Sequence, residues 1–448
     1  MSNGAPRPRS ALGPLVLVAV GAIFLLSNFR PGWIPWDFFA RWWPLLLILW
    51  GAVRLIENLS GTGRRGVSGG EVFLLVLVIF AGIGSSVASR FPGMIRMDNS
   101  DDFPFSETAE ATEELPARDV PPGSLLRIDT PRGDVTVDGS GDDKQMHIVV
   151  HKTGYAMSGD EAKSRADSST ARLEQSGTEF SLSAAPAGGR GSSSRVSFEV
   201  HLPRNVALDL RTARGEVRVT GIAGNVAVSV GNGNVEVRDT GGDVRADLGH
   251  GDARVTSVKG NVHVSGKGGE VEIADVKGAA TIDGEFFGPI SARSVAQGVR
   301  FVSRQTDFTL AGLPGRMTVG PSDLEVEDAV GPLILTTKDK QIDIEDVSGR
   351  IRVDNRHGRV AVRLKSEPRE EIDLTNDSGA IELALPSKSA FDISAASRSG
   401  EIENDWNDGA LNRTREKGDS RLDGKVGAKG PKITLNTSYG PIRLKRSD

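Results

Sequence analysis

Glycine recurs as Gly215, Gly224, Gly233, Gly242, Gly251, Gly260, Gly269 and Gly278, an unbroken step of nine residues. Two residues after each comes a small residue: Val217, Val226, Val235, Val244, Ala253, Val262, Val271 and Ala280. Two further on stand Val219, Val228, Val237, Ala246, Val255, Val264, Ile273 and Ile282. Apolar residues alternating between Gly-rich turns mark short strands with one buried face. A step of nine is therefore one strand and one turn. Such a unit buries too few side chains to stand alone and must stack on copies of itself.

The turns alternate in kind. One kind carries Ile222, Thr240, Val258 and Val276, and continues approximately to Val295, Leu313, Ala329 and Val347. The other is polar, as in Gly231-Asn232-Gly233 and Gly249-His250-Gly251. Two steps therefore make one coil of about eighteen residues. Arg218, Glu236, Arg254 and Glu272 follow the same step with alternating sign. Parallel strands about 4.8 Å apart would place them in an outer charge ladder with unlike neighbours. The eight glycines are read as structural turn residues, needed where φ is positive or backbones approach closely. The pattern predicts an all-β solenoid of two nine-residue strand-turn units per coil over residues 123–448. It persists loosely at Gly349, Gly358, Gly379, Gly400 and Gly440. A helical insert is expected near residues 160–175 and a mobile polar excursion near 405–429.

The first 92 residues read differently. Three apolar runs, 11–26, 38–56 and 72–89, predict transmembrane helices, since a spanning helix needs about 20 apolar residues. None shows a polar face at helical spacing. Trp33, Trp36, Trp42, Trp43 and Trp50 lie mostly beside these runs, as interfacial anchors do. The first run is read as a retained helix, because Asn28-Phe29-Arg30 follows it in place of a small-residue cleavage site. Arg7 and Arg9 precede it, Arg54 lies near the end of the second run, and Arg64 and Arg65 lie between the second and third runs. Positive loops face the cytoplasm, which places the C-terminal domain outside in a multi-pass cell-membrane protein. Residues 93–122 hold Asp101, Asp102, Glu107, Glu110, Glu113 and Glu114 and read as an acidic disordered linker. Residues 1–95 carry a formal charge of +5 and residues 96–448 one of −10. An acidic repeat domain is a poor nucleic-acid binder.

Two stretches carry family resemblances. Gly13-Pro14-Leu15, the run GAIFLL from Gly21, and WPLLLI from Trp43 before Gly51 resemble the LiaI/LiaF-like transmembrane region. VSFEVHLP from Val196, VALDL from Val206, GEVRV from Gly215 and LNTSYGPI from Leu435 resemble the DUF4097 putative-adhesin family. The second resemblance covers roughly residues 123–446. It implies a β-solenoid at the cell envelope and brings no catalytic residues with it.

The chain has no Cys, which removes disulfides, thiolate metal sites and a Cys nucleophile. Its six His include His147 and His151, four residues apart on one strand face, but no HExxH. Gly266-Lys267-Gly268 lacks the spacing and hydroxyl of a phosphate loop. Gly231 to Asp239 departs from the calcium nonapeptide, with Glu236 in the place of the ligand Asp. Asp247, Glu272, Asp275 and Asp283 could be imagined as a glycosidase-type carboxylate pair, but read better as solvated ladder charges. No catalytic residue, metal ligand, cofactor or small-molecule substrate is called for. The expectation is an integral membrane protein presenting a non-catalytic surface for adhesion, scaffolding or envelope-stress sensing. Its partner would be an envelope polymer or another membrane protein. The alternatives are a β-helical enzyme acting on envelope polysaccharide and a cytoplasm-facing self-assembling scaffold.

Overall fold

The computed structural model describes residues 107–447, apart from 142–143, 188–193, 407–410 and 417. Valine and isoleucine at alternate positions suit a pleated, half-buried surface, and they build thirty-one strands joined in one sheet. The central strands fall into two parallel rows. One contains Ser124–Thr130, Val206–Arg214, Val226–Asn232, Val244–His250, Val262–Gly268 and Ala280–Phe286. The other contains Val135–Gly141, Val217–Thr220, Val235–Thr240, Ala253–Val258, Val271–Val276 and Ile290–Val295. Each strand pairs with the one eighteen residues on, as Val226 does with Val244 and Val244 with Val262. Val217, Val235, Ala253 and Val271 lie opposite one another in successive strands and are buried. The two rows face each other across one apolar core.

The step is not uniform. Val271 pairs with Ile290, nineteen residues on. The extra residue falls in the turn after Ala280–Phe286, where Phe287 is exposed. Next, the long strand Thr306–Val319 runs antiparallel to Val299–Val302 and to Ile290–Val295, so it crosses from one row to the other. It forms a hairpin with Asp323–Asp339, which crosses back. Parallel pairing then resumes, with Leu324 opposite Ile342 and Leu333 opposite Ile351. Both ends are antiparallel too. At the start, Glu107–Asp119 pairs with Gln145–Ala156, which pairs with Ser194–Pro203. At the far end, Phe391–Ser397 pairs with Asp419–Val426, which pairs with Leu411–Glu416.

These findings correct the expected fold class of transmembrane helices followed by an open all-β solenoid. Among the described residues there is one short helix, Gly159–Ser168, and no helix is long and apolar enough to cross a membrane. The three apolar runs lie outside the described residues. The β region is one continuous sheet, nearly closed as a barrel around its core, rather than an open stack of uniform coils. The physical reason is that a repeat specifies only its own interior. An irregular end needs pairing of its own, and antiparallel pairs supply it at both ends of the sheet, while Ile402–Asn404 closes the second row in parallel with Ile442–Ser447.

Three finer expectations also change. Glu107–Asp119, assigned to the disordered linker, is a strand, because Ala109, Ala111 and Leu115 turn to its more sheltered face. The helix near 160–175 ends at Ser168, and Thr170–Ser176 is a strand. Ser158 caps that helix by accepting from the Glu161 N–H, and only Ala162 and Ala166 are buried on it. The stretch 405–429 contains two strands, anchored by Trp406, whose ring packs edge-on against Phe391 at 5.0 Å.

The inner and outer faces should respond differently to charge. Val235→Asp would bury an unpaired carboxylate and cost on the order of 3–5 kcal/mol. Glu236→Lys would place three like charges in a row on the solvated face and cost less than about 1 kcal/mol. Chemical denaturation of the full chain in detergent micelles, followed by its β-sheet circular dichroism, checks this. Equal losses in the two variants would show that the faces are misassigned.

Candidate functional site

The eight repeat glycines all sit in the bends between strands, and they divide into two sets. Gly215, Gly233 and Gly251 have positive φ, as at Gly233 with φ +145°, where a Cβ would also collide with the Gly215 carbonyl. Gly224, Gly242, Gly260, Gly269 and Gly278 lie outside the left-handed region, so a special backbone conformation is not what selects glycine there. Close stacking is. At Gly224 a Cβ would run into the Val206 carbonyl, at Gly242 into the Asn225 side chain and at Gly269 into the Asp252 carboxylate. At Gly260 it would lie 2.5 Å from Asp243 Oδ1, and at Gly278 2.5 Å from the Gly260 carbonyl oxygen. Of the two reasons expected for glycine, positive φ thus fails at these five positions and close approach accounts for them.

The side chains that crowd those glycines form a second ladder at the turns. After five of the turn glycines, and after Gly133, the next residue is Asn or Asp, and its side-chain oxygen accepts a backbone N–H from the next strand. In one row the N–H of Asp243 donates to Asn225 (3.0 Å), that of Asn261 to Asp243 (2.7 Å) and that of Ala279 to Asn261 (3.0 Å). In the other, Glu216 donates to Asp134 (2.8 Å), Asp252 to Asn234 (2.9 Å) and Glu270 to Asp252 (2.7 Å). Sequence reading missed this ladder, although the repeated Gly-Asn and Gly-Asp pairs are its signal.

A further unforeseen feature is a line of left-handed residues that are not glycine. Asp239, Ser257, Asp275 and Ser294 have φ between 50° and 59°, and Asp328 and Asp346 share that conformation beyond the central hairpin. Each precedes the buried turn residue of its strand, such as Val258 or Val276. Short polar side chains tolerate this region because they can bond locally to the backbone.

The outer faces carry ion pairs rather than a convergent site. Arg218, Glu236, Arg254 and Glu272 lie opposite one another in register. They resolve into an Arg218–Glu236 pair at 3.6 Å and an Arg254–Glu272 pair at 2.8 Å. A denser network lies beyond the central hairpin. Arg363 and Arg359 reach Asp343 at 2.9 and 3.0 Å. Arg443 reaches Glu382 at 2.9 Å and Glu403 at 3.1 Å, and Lys445 approaches Glu382 at 3.7 Å. Partial burial pushes the Glu382 carboxyl up, but the Arg443 hydrogen bond and the Lys445, Arg359 and Arg443 charges outweigh it and hold it below its ordinary value of 4.5.

The carboxylates that could have been catalytic do not converge. Asp247 stands in register with Ser265, and Ser265 with Asp283, in one row. Glu272 is in the other row, paired with Arg254, and Asp275 lies near the end of that same strand in the left-handed region. Burial raises the Asp247 carboxyl, yet hydrogen bonds from Ser265 and Arg245 leave it below its usual range. A general acid needs the opposite shift. His147 lies opposite His201, and His201 contacts Glu199 at 3.0 Å and Asp138 at 3.9 Å. Among the described residues no group of three or more His, Asp or Glu side chains is arranged to hold a metal ion.

One groove does gather polar groups. Its volume is about 280 Å³, and it is lined by residues of four adjacent strands, Ile372–Ser378, Lys432–Tyr439, Phe391–Ser397 and Asp419–Val426, and by Arg398, next after the third. Thr375, Asn436, Ala396 and Arg421 stand opposite one another across it. The last of these strands belongs to the stretch expected to be mobile. Its alternation of Ser420 and Leu422 inward with Asp419, Arg421 and Asp423 outward was the missed signal.

Comparison with known proteins follows the same division of the chain. The model of the LiaF transmembrane domain matches residues 12–92. The model of the family described as Toastrack DUF4097 matches residues 124–445. Among solved structures, a putative cell adhesion protein from Clostridium sporogenes aligns at 10% identity over 75% of this chain and 100% of its own, with a TM-score of 0.18. A putative adhesin from Bacteroides fragilis aligns at 11% identity over 76% of this chain and 97% of its own, with a TM-score of 0.22. No curated protein gives a significant match.

The Glu382 network should make part of the stability depend on acid. Because its folded value lies below 4.5, the stabilisation is fully present above that pH and is lost as pH falls through the lower folded value. Denaturation of the wild type and Glu382→Gln across pH should therefore show a stability gap that is widest at neutral pH and closes below about 4.5. A gap independent of pH would remove the carboxylate from the account.

Proposed function

Taking as its premise that the chain belongs to the Toastrack DUF4097 family, we propose that it is a multi-pass membrane protein displaying a non-catalytic binding surface outside the membrane. The surface serves an envelope polymer or a partner membrane protein. The observation that carries this reading is the joining, in one chain, of a LiaF transmembrane domain to a β domain whose long outer faces bear paired charges instead of convergent catalytic groups. A wound sheet suits display. Its backbone is fixed by strand-to-strand pairing through one continuous sheet, so outward side chains vary without disturbing the core. The arginine distribution supports the orientation, with Arg7, Arg9, Arg54, Arg64 and Arg65 on the side that stays in the cytoplasm. The charge of −10 on residues 96–448 supports a partner other than nucleic acid.

The lyase-like alternative loses ground because Asp247 is held ionised and stands apart from Glu272. Adhesion and stress sensing differ in what is bound, a polymer or a protein. Two measurements test the proposal. A reporter fused after Asp448 should be active only outside the cytoplasm; activity only inside would reverse the orientation and favour an internal scaffold. Cross-linking in intact cells, followed by affinity purification of the full chain from membranes, should recover an envelope polymer or a membrane protein. Recovery of neither would overturn the display reading.

A further inference from the structure

The groove at the far end of the sheet gathers several charged groups around one concave space. Asp377, Arg398, Asp419 and Arg421 all line it, and none makes an ion pair or side-chain hydrogen bond with another described residue. On the neighbouring row Arg359, Arg363 and Arg443 are each matched to a carboxylate. Two guanidinium groups and two carboxylates thus stand unmatched around a floor of small residues, Ala396 and Ser438. The walls are held firmly. Beneath them Ser397 donates to the Gly440 carbonyl at 2.9 Å and Ser420 to the Gly400 carbonyl at 2.8 Å, so these buried hydroxyls fix the strands that carry Arg398 and Arg421.

The unmatched set defines what would fit. Its formal charge is balanced, so a polyanion gains at Arg398 and Arg421 what it loses at Asp377 and Asp419. Ala396 is the one apolar lining residue, so there is no pocket for an apolar side chain. Hydroxyl groups both donate and accept, and a ligand rich in them satisfies carboxylates, guanidiniums and the Asn436 amide together. The volume of about 280 Å³ lies at the lower bound of small-molecule sites. It suits one ring-sized unit of a chain rather than a folded partner.

We propose that this groove is a saccharide subsite, binding one unit of a neutral polyhydroxylated polymer through Asp377, Arg398, Asp419 and Arg421. The inference rests on the envelope-facing reading above and narrows its ligand to a carbohydrate at one place on the sheet.

The test uses the full chain in lipid nanodiscs, which avoids sugar-headed detergents. Chitotetraose, maltotetraose and tetra-alanine are titrated and followed by saturation-transfer NMR. At least one oligosaccharide should bind, with a dissociation constant of about a millimolar. The double variant Asp377→Asn, Arg421→Gln should weaken it by about tenfold or more, with an unchanged unfolding midpoint. Arg300→Gln, on the strand Val299–Val302, should bind as the wild type does. Binding of neither sugar, binding of the peptide in their place, or undiminished binding by the double variant would overturn the proposal. If that variant still captures its envelope partner in cells, the groove assignment fails while the display reading stands.

Discussion

The backbone pairing of each strand with the strand eighteen residues on is the constraint from which the rest of the domain follows. It fixes the strand-to-strand separation at about 4.8 Å, and everything placed on the sheet inherits that spacing. Inside, it stacks like on like, so Val217, Val235, Ala253 and Val271 form a continuous apolar column. At the turns it leaves no room for a Cβ at Gly233 or Gly260. The same proximity brings Asn225, Asp243 and Asn261 within hydrogen-bonding reach of one another's neighbours. Outside, it would force like charges together, and the alternation of Arg218, Glu236, Arg254 and Glu272 avoids this. One register thus accounts for the glycines, the Asx ladder and the charge pattern together.

That register has to begin, reverse and end. A repeat cannot supply its own termination, because the last strand always presents an open edge. Antiparallel pairs do this work at both ends, apart from Ile402–Asn404, which closes the second row in parallel, and the hairpin of Thr306–Val319 with Asp323–Asp339 does it in the middle. These long strands belong to both rows at once, which is why the sheet is continuous. Lys340 follows this hairpin and is buried, with its ammonium donating to the carbonyls of Gly320 and Pro321. Burial holds its pKa below the ordinary lysine value, partly offset by Asp323. At the reversal a buried charge thus satisfies backbone oxygens the turn would leave unpaired.

The sequence disclosed the part of the fold in which each residue has the same environment as its equivalent in the next coil. Gly and Val at a fixed step can be read without any knowledge of tertiary structure, because the neighbour is always the next copy. Residues whose neighbours are unique could not be read that way. Glu107–Asp119 is mostly acidic and owes its strand to pairing with Gln145–Ala156, a partner that composition does not reveal. Asp419–Val426 is charged at every other position and is ordered by Phe391–Ser397 alongside it. The step of nine also hides the left-handed Asp239, Ser257 and Asp275, which a strand pattern reads as ordinary polar positions. It hides as well that Gly224, Gly242, Gly269 and Gly278 answer to a neighbouring coil rather than to their own φ, since both causes leave the same letter in the chain. The groove depends on the irregular strands. Its residues come from segments separated by more than forty positions, as Asp377 and Arg421 are, so no local motif announces them.

This division bears on where a function can reside. Along the regular rows an outward residue has the same kind of neighbour above and below, and complementary charges there satisfy each other. Such pairs leave fewer groups on these faces free to meet a ligand. Where the repeat is broken, the neighbouring strand offers no equivalent residue, and unmatched groups can gather in one groove. The inserted hairpin Leu411–Glu416 and Asp419–Val426 is such a break, and it stands against the strand Phe391–Ser397 at the far end of one row. Trp406 secures it from below, packed against Phe391 and covered by the Arg446 guanidinium at 4.6 Å. The regular strand rows then act as a rigid support, and the irregular end carries the groove.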